Sequence, residues 1–415
     1  MWLRVVLAAA LLSSAAAGTE GQGEGVIATD DAGALHINSS DPLTQPVLLN
    51  GFDVLRGIKQ HASVIEEQSM LVANQAARIT ALEDDLCSMH PPHIGRIPGA
   101  GNETSTWAGG VLAPNGLIYG VPSSAASVLI INPTTNTLDT TTITGLPDGE
   151  FKWFNGVLVP SNNIIYCFPD NADSVLKIDP ATNTADWTTI AGAGVGTGDS
   201  KVRSGSLASN GLIYGIPFSA SFVLIIDPVT DTVDTTTLDG LSTASSKWWG
   251  SVLAPDGRRI FGIPRMADAV LVIDTESNTL DTTSIAGLGP SDSDKWIGGV
   301  LARNGLIYGI PFSSGAVLIV DPEAMAADTT SITVPSDESK WIGGVLAANG
   351  KVVGIPNEAA HVLVIDPDTN TADTTGLRDS DATFAEHVEG VLGPDGLVYA
   401  IPFFSDSVLV IDVGC

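Results

Sequence analysis

The chain is poor in positive charge: 18 lysines and arginines stand against 47 aspartates and glutamates, a formal charge of −29 over 415 residues. Such a surface repels phosphate backbones and anionic lipid, so it excludes nucleic acid as a partner class. Divalent cations and basic macromolecules are favoured, although solubility alone is the plainer use of the charge. Cysteine is scarce, with three residues in all, which rules out a disulfide-stapled scaffold. Long apolar runs are missing. The run Val5 to Leu12 falls far short of the roughly 20 residues a membrane-spanning helix needs. No phosphate-cradling glycine loop, nucleophile elbow or metalloprotease helix occurs, and Gly194 to Gly198 reads as a loop insertion with no helix after it. Between Ile58 and Leu86 there is neither glycine nor proline.

Those absences leave a short list of positive features. Arg4, the apolar run behind it and the small residues Ser13 to Ala17 have the form of a secretory signal peptide over 1–17. The expectation is therefore a secreted protein, extracellular or at the cell surface. Residues 18–50 are polar, glycine-rich and then loosely β-like, a flexible lead. Over 51–87, Ile58, Ile65, Val72, Ile79 and Leu86 recur at a spacing of seven, one seam row of a coiled coil. The companion row is poor: Ala62, Ser69 and Ala76 on one side, His61, Gln68 and Gln75 on the other. Two readings stay open, a stalk that forms a homo-oligomer and a single helix that packs on the C-terminal region. At 1.5 Å per residue such a helix spans about 50 Å.

From 90 to 415 the chain repeats itself. Lys295-Trp-Ile-Gly-Gly-Val-Leu-Ala302 returns as Lys340 to Ala347, and related copies start at Trp107, Trp153, Val202, Trp248 and His387. The seven starts lie 46, 49, 46, 48, 45 and 46 residues apart. Each copy holds a Gly-Gly-Val-Leu-Ala segment, a tight turn such as Asn304-Gly305 or Asp395-Gly396, a Leu-Ile-Tyr-Gly-Ile-Pro segment, a Val-Leu-Ile-Ile-Asp-Pro segment and a short Asp-Thr-Thr segment. β-Branched and aromatic residues dominate, and the turn pairs tolerate positive φ. Four strands at this period predict an all-β, seven-bladed β-propeller of four-stranded blades. The seventh copy stops after Val408 to Asp412, its third strand. His93 to Pro98 aligns with a fourth strand, so an N-terminal strand is expected to close the ring.

The Ile-Tyr segment, small loop and Val-Leu-Ile-Ile-Asp-Pro-x-Thr-Asn-Thr run resemble YVTN-type β-propeller repeats, best over Leu212 to Leu238 and Val352 to Thr375. Gly-Ile-Pro stands where that family has Val-Thr-Asn. The resemblance implies a propeller of the kind found in cell-surface and extracellular proteins, and the architecture is also similar to that of streptogramin lyases. It specifies a blade, not an activity.

Chain order places the loops between strands two and three on one face with the connections between blades. Here the copies differ: Ser123 to Ala126, Asp170 to Asp173, Arg265 to Asp268, Asn357 to His361 and Phe403 to Asp406. Such variation fits a ligand-binding face and fits unconstrained loops equally. Trp107, Trp153, Trp248, Trp296 and Trp341 begin the innermost strands on that face. They read either as platforms for a glycan or as wedges between blades; with wedges, the lysine that usually precedes the Trp becomes a solvated rim residue. His361 and His387 fall on neighbouring blades, His387 in place of the repeat's Trp and flanked by Glu386 and Glu389, a conceivable metal or general-base cluster without a recognised spacing. Acidic turns such as Asp227, Asp231 and Asp234, or Asp366, Asn370 and Asp373, offer oxygen for weak Ca²⁺ binding or simply make hairpin turns. No other cofactor is expected.

Cys167 reads as a buried hydrophobe. Cys87 and Cys415 flank the repeats and are expected to pair, with intermolecular pairing through Cys87 as the rival. Asn38 and Asn102 are glycosylation acceptors if the secreting cell glycosylates. The function expected is a non-catalytic binding or structural protein with a protein or glycan ligand on the propeller face. A lectin using the Trp residues and a propeller lyase or hydrolase using His361, His387 and nearby acids are the alternatives.

Overall fold

Short runs rich in Val, Ile and Tyr, joined by two-residue turns, can satisfy their backbone groups only with the next run along the chain, so each repeat folds as an antiparallel meander. The computed structural model describes backbone and side chains for residues 91–101, 106–192, 195–196, 198–290, 293–379 and 387–414, side chains for 60–79, and the backbone of the elements before residue 90. Blade 2 is typical: Trp153–Val159, Ile164–Pro169, Leu176–Asp179 and Thr184–Asp186 pair in chain order. Six blades are built this way. The seventh sheet takes His387–Leu392, Val398–Pro402 and Ser407–Asp412 from the C-terminal end and His93–Pro98 from ahead of blade 1. Ser407 lies opposite Pro98 and Asp412 opposite His93 in an antiparallel ladder.

The apolar cores sit between blades rather than within them. One unites Val300, Tyr308 and Ile319 of blade 5 with Trp341, Leu363 and Ile365 of blade 6. Another unites Tyr399, Ile401 and Val408 of blade 7 with Trp107, Ile118 and Leu129 of blade 1. A sheet with two apolar faces must bury both, and a closed ring does so for every blade at once.

On the tight-turn face the repeated tyrosine ties neighbours together. Asn304 Nδ2 donates to Tyr308 Oη at 2.9 Å, and that hydroxyl donates to Asn370 Oδ1 of the next blade at 3.1 Å. Tyr119 does the same with Asn115 and Asn183. Tyr308→Phe removes the donor to Asn370 Oδ1 and leaves Asn304 Nδ2 with the Pro367 carbonyl alone, 3.2 Å away, at a cost of about 1–2 kcal/mol, read as a lower denaturant midpoint at unchanged m-value.

The N-terminal unit is described by itself. Val26–Thr29 pairs with Leu35–Asn38 and Leu48–Leu49 with Phe52–Asp53, and the helix Val54–Met89 follows. Its side chains over 60–79 are all exposed, the seam residues Ile65, Val72 and Ile79 at 62%, 64% and 55%. The signal segment, Asn102, Glu386 and Cys415 lie outside the described residues, as do the side chains of Asn38 and Cys87. The disulfide and glycosylation readings fall there. Cys167 is fully buried, and burial drives its thiol far above the ordinary range.

Candidate functional site

Each Trp at the head of an innermost strand is driven inward by its own size. Trp107, Trp153, Trp248, Trp296 and Trp341 are only 0–3% exposed. Each indole N–H donates to a backbone carbonyl in its own blade, Trp296 to Ala316 and Trp341 to His361, both at 2.8 Å. A ring so enclosed offers no flat face to a ligand, so these five are wedges. The solvated-lysine expectation is also overturned. Lys152, Lys201, Lys247, Lys295 and Lys340 are 3–6% exposed. The Lys340 ammonium donates to the carbonyls of Phe312, Ser314 and Asp337, so its three protons have three acceptors. Burial lowers the Lys340 pKa to about 8, against the pull of Asp337.

The histidines divide. His387 is 1% exposed, with Nε2 3.0 Å from the Ser407 carbonyl, and so occupies the wedge position of blade 7. His361 is partly exposed and lines a rim pocket beside Trp341. Among the described residues no three His, Cys, Asp or Glu side chains converge to hold a metal. The repeated aspartates serve their turns: Asp227 accepts from Val229 N and Thr230 Oγ1 at 2.8 Å each, and Asp231 pairs with Lys177 at 2.7 Å. Hydrogen bonds from Thr237 and Thr236 hold the Asp234 carboxyl down at about 2.

What the fold assembles instead is an aromatic mouth on the ring axis. Two positions per blade build it: the second residue of the innermost strand and the residue after the Pro that ends strand two. Phe154, Trp249, Ile297, Ile342 and Val388 come from the first set, and Phe218 and Phe403 from the second, in one apolar cluster. Arg203 sits among them, its guanidinium 3.9 Å from the Phe218 ring centre, 4.5 Å from Phe154 and 4.8 Å from Trp249. Asp170, fully buried, accepts from Arg203 Nε at 3.2 Å and from Nη2 at 3.1 Å. Arg265 stacks near Phe218 and Trp249 and pairs with Asp294 at 2.7 Å. Above them Phe404 is 43% exposed, packed edge-on against Phe403 at 4.7 Å. Phe151 holds φ at +53°, a strained setting for an aromatic residue, and stacks on Phe154.

Inside the mouth the third residues of the innermost strands approach across the blade boundaries. A Cβ on Gly298 would lie 2.6 Å from the Gly343 Cα, and one on Gly343 would lie 2.8 Å from the Glu389 Cα. Glu389 keeps the φ of that position, +63°, without being glycine. Burial raises its carboxyl to about 7, with a hydrogen bond from Trp249 opposing the rise.

Of the sequence candidates Arg265 belongs to this mouth, with Asp170 and Phe403 from the variable loops and Glu389 inside it. Arg203, Phe154, Trp249 and Phe218 were not singled out by sequence. Their signal was present: they occupy repeat positions held elsewhere by small or aliphatic residues such as Ala108, Ile297 and Ser123.

No family model matches the chain, and no curated protein matches it in sequence. Solved structures share its fold. A streptogramin B lyase aligns at 12% identity and a TM-score of 0.61, over 77% of this chain and 97% of that one. Virginiamycin B lyase from Staphylococcus aureus, in a catalytically inactive form with quinupristin, aligns at 11% and 0.63, over 77% and 99%. The extracellular domain of a putative one-component system from B. thetaiotaomicron aligns at 10% and 0.56, over 78% of this chain and 40% of that one. At such identities the likeness shows the seven-bladed architecture alone. Among the described residues no helix is long and apolar enough to cross a membrane.

Proposed function

We propose that the chain is a secreted, non-catalytic binding or structural protein that displays the loop face of its propeller to a protein partner. The observation that carries this reading is the axial mouth. Phe404 stands exposed against the buried Phe403 of that cluster, and Trp, Phe and Arg are the side chains of a protein-binding hot spot. The extracellular propeller domains among the structural neighbours and the YVTN-type character of the repeats support it. The acidic surface favours a partner whose contact rim is basic.

The helix Val54–Met89 serves as a self-associating stalk in this reading. Its apolar seam, Ile65, Val72 and Ile79, stands exposed, and apolar surface in such a row is buried by a second copy. Light scattering is expected to give an oligomer for the full chain and a monomer for Ile65→Ser/Val72→Ser/Ile79→Ser. An unchanged mass in that variant removes the stalk. For the face, Phe404→Asp is expected to abolish partner capture at unchanged melting temperature, and capture that survives it overturns the assignment.

A further inference from the structure

Four related pockets recur around the rim of the loop face, on blades 2, 4, 5 and 6, of about 340, 350, 390 and 420 Å³ respectively. Each lies between the link that enters its blade, the buried Lys-Trp pair, the loop after strand two and the residue following the Asp of strand four. That last residue is Thr282, Thr329 or Thr374 in three of them. Thr140 and Thr235 hold the same place in blades 1 and 3. In blade 2 alone it is Trp187.

The departure changes the chemistry of one pocket. Trp187 is partly exposed, packed on the blade core beside Ala172, and it turns a small polar wall into a flat apolar one. Facing it are Asp148, Glu150 and Asp173, all exposed to solvent. The frame around them is fixed: Asn171 Nδ2 donates to the Glu150 carbonyl at 3.1 Å, and Asn171 Oδ1 accepts from Ser200 N at 2.8 Å. Gly192 N donates to the Asp173 carbonyl at 2.9 Å. The nearby Lys152 ammonium is directed to the carbonyls of Ala125 and Gly149, 3.1 Å each, rather than to these acids.

An aromatic platform beside several carboxylate acceptors, in a preformed pocket at the small end of the ligand-binding range, is suited to a ring with an apolar face and an edge of hydroxyls. We propose that blade 2 carries a saccharide-binding site, a pyranose stacking on Trp187 while its hydroxyls donate to Asp148, Glu150 and Asp173. The site is separate from the axial mouth and goes beyond the protein-binding role assigned there. It also moves carbohydrate recognition from the five wedge tryptophans to one that blade packing does not require, since five other blades manage with threonine.

That last point supplies the test. Trp187→Thr installs the residue the sibling blades use, so it is expected to fold as the wild type does. The full chain is screened on a glycan array, and the best mono- or disaccharide is titrated by calorimetry into wild type, Trp187→Thr, Asp173→Asn and the mouth variant Phe404→Asp. The expected result is saccharide binding weakened at least about tenfold by Trp187→Thr, weakened by Asp173→Asn and unchanged by Phe404→Asp. Absence of saccharide binding at about 10 mM ligand, weaker than the usual range for a specific site, overturns the proposal, as does full affinity in Trp187→Thr. Binding of poly-lysine alone, lost in Asp173→Asn and kept in Trp187→Thr, would make the pocket a cation site and overturn it equally. Loss in Phe404→Asp with retention in Trp187→Thr would return the ligand to the mouth.

Discussion

Truncating Trp341 to alanine is expected to lower the stability of the propeller by about 3–5 kcal/mol, the cost of a large buried aromatic removed from a core that cannot collapse around the void. The ring is 2% exposed and fills the boundary between Ile310 and Val317 of blade 5 and Leu363 and Ile365 of blade 6. Its N–H holds the His361 carbonyl, and the Lys340 ammonium lies 5.7 Å from the ring centre. The strands on either side are hydrogen-bonded within their own sheets, so neither blade can move in to close the gap without loosening its next boundary. Trp341→His, the residue that blade 7 uses at His387, keeps a ring nitrogen for the carbonyl and should lose less. Urea unfolding reads both values. A loss below about 1 kcal/mol for the alanine variant would mean that the ring is not a wedge.

Glu389→Gln is expected to do the opposite, by an amount that grows as pH rises from about 4.5 to about 7. The Glu389 carboxyl lies at about 7 in the folded protein against 4.5 for an ordinary glutamate. Between those values the folded state holds more protons than the unfolded one, so stability falls as pH rises through the window. Above pH 7 the penalty is complete, at most about 3 kcal/mol at 1.36 kcal/mol per pH unit. The amide carries no charge to bury. Glu389→Gln therefore melts higher than wild type at pH 8, and the gain vanishes below about pH 4.5. Glu389→Gly also relieves the left-handed backbone at φ +63°, which adds about 1 kcal/mol at every pH. A flat difference between wild type and Glu389→Gln from pH 4 to 8 would place the carboxylate in free solvent.

A carboxyl poised near neutrality under an aromatic mouth invites comparison with the catalytic alternative raised by the sequence. That alternative drew on His361, His387 and nearby acids, Glu389 among them. The first lines a rim pocket and the second is a buried wedge whose ring faces a backbone carbonyl. Neither histidine belongs to the mouth cluster, whereas Glu389 lies inside it without a histidine from that cluster beside it.

The periodic part of the architecture was legible because a repeated pattern reports on itself. Asn-Gly turns, alternating strand runs and a period near 47 residues fix strand, hairpin and blade, since each rests on contacts within a few dozen residues of chain. The ambiguous positions were those whose partners lie on another blade. Trp296 and Lys295 read equally well as platform and rim charge or as wedge and buried clamp, because only the neighbouring sheet and the loop carbonyls decide which. Glu389 looked like a neighbour of His387, yet a bulge between Gly390 and His387 lets it follow the glycine register inward.

By itself, then, the sequence determined the number of blades, the order of strands within them and the acidity of the surface, all properties of local pattern and composition. The tertiary structure alone decided that the tryptophans are buried, that Arg203 and Trp249 meet Phe218 at the axis, and that Trp187 stands in a pocket where its siblings have threonine. Closing a ring brings together residues about 50 positions apart, and what a side chain does there depends on the free space that its neighbours leave, which no single repeat encodes.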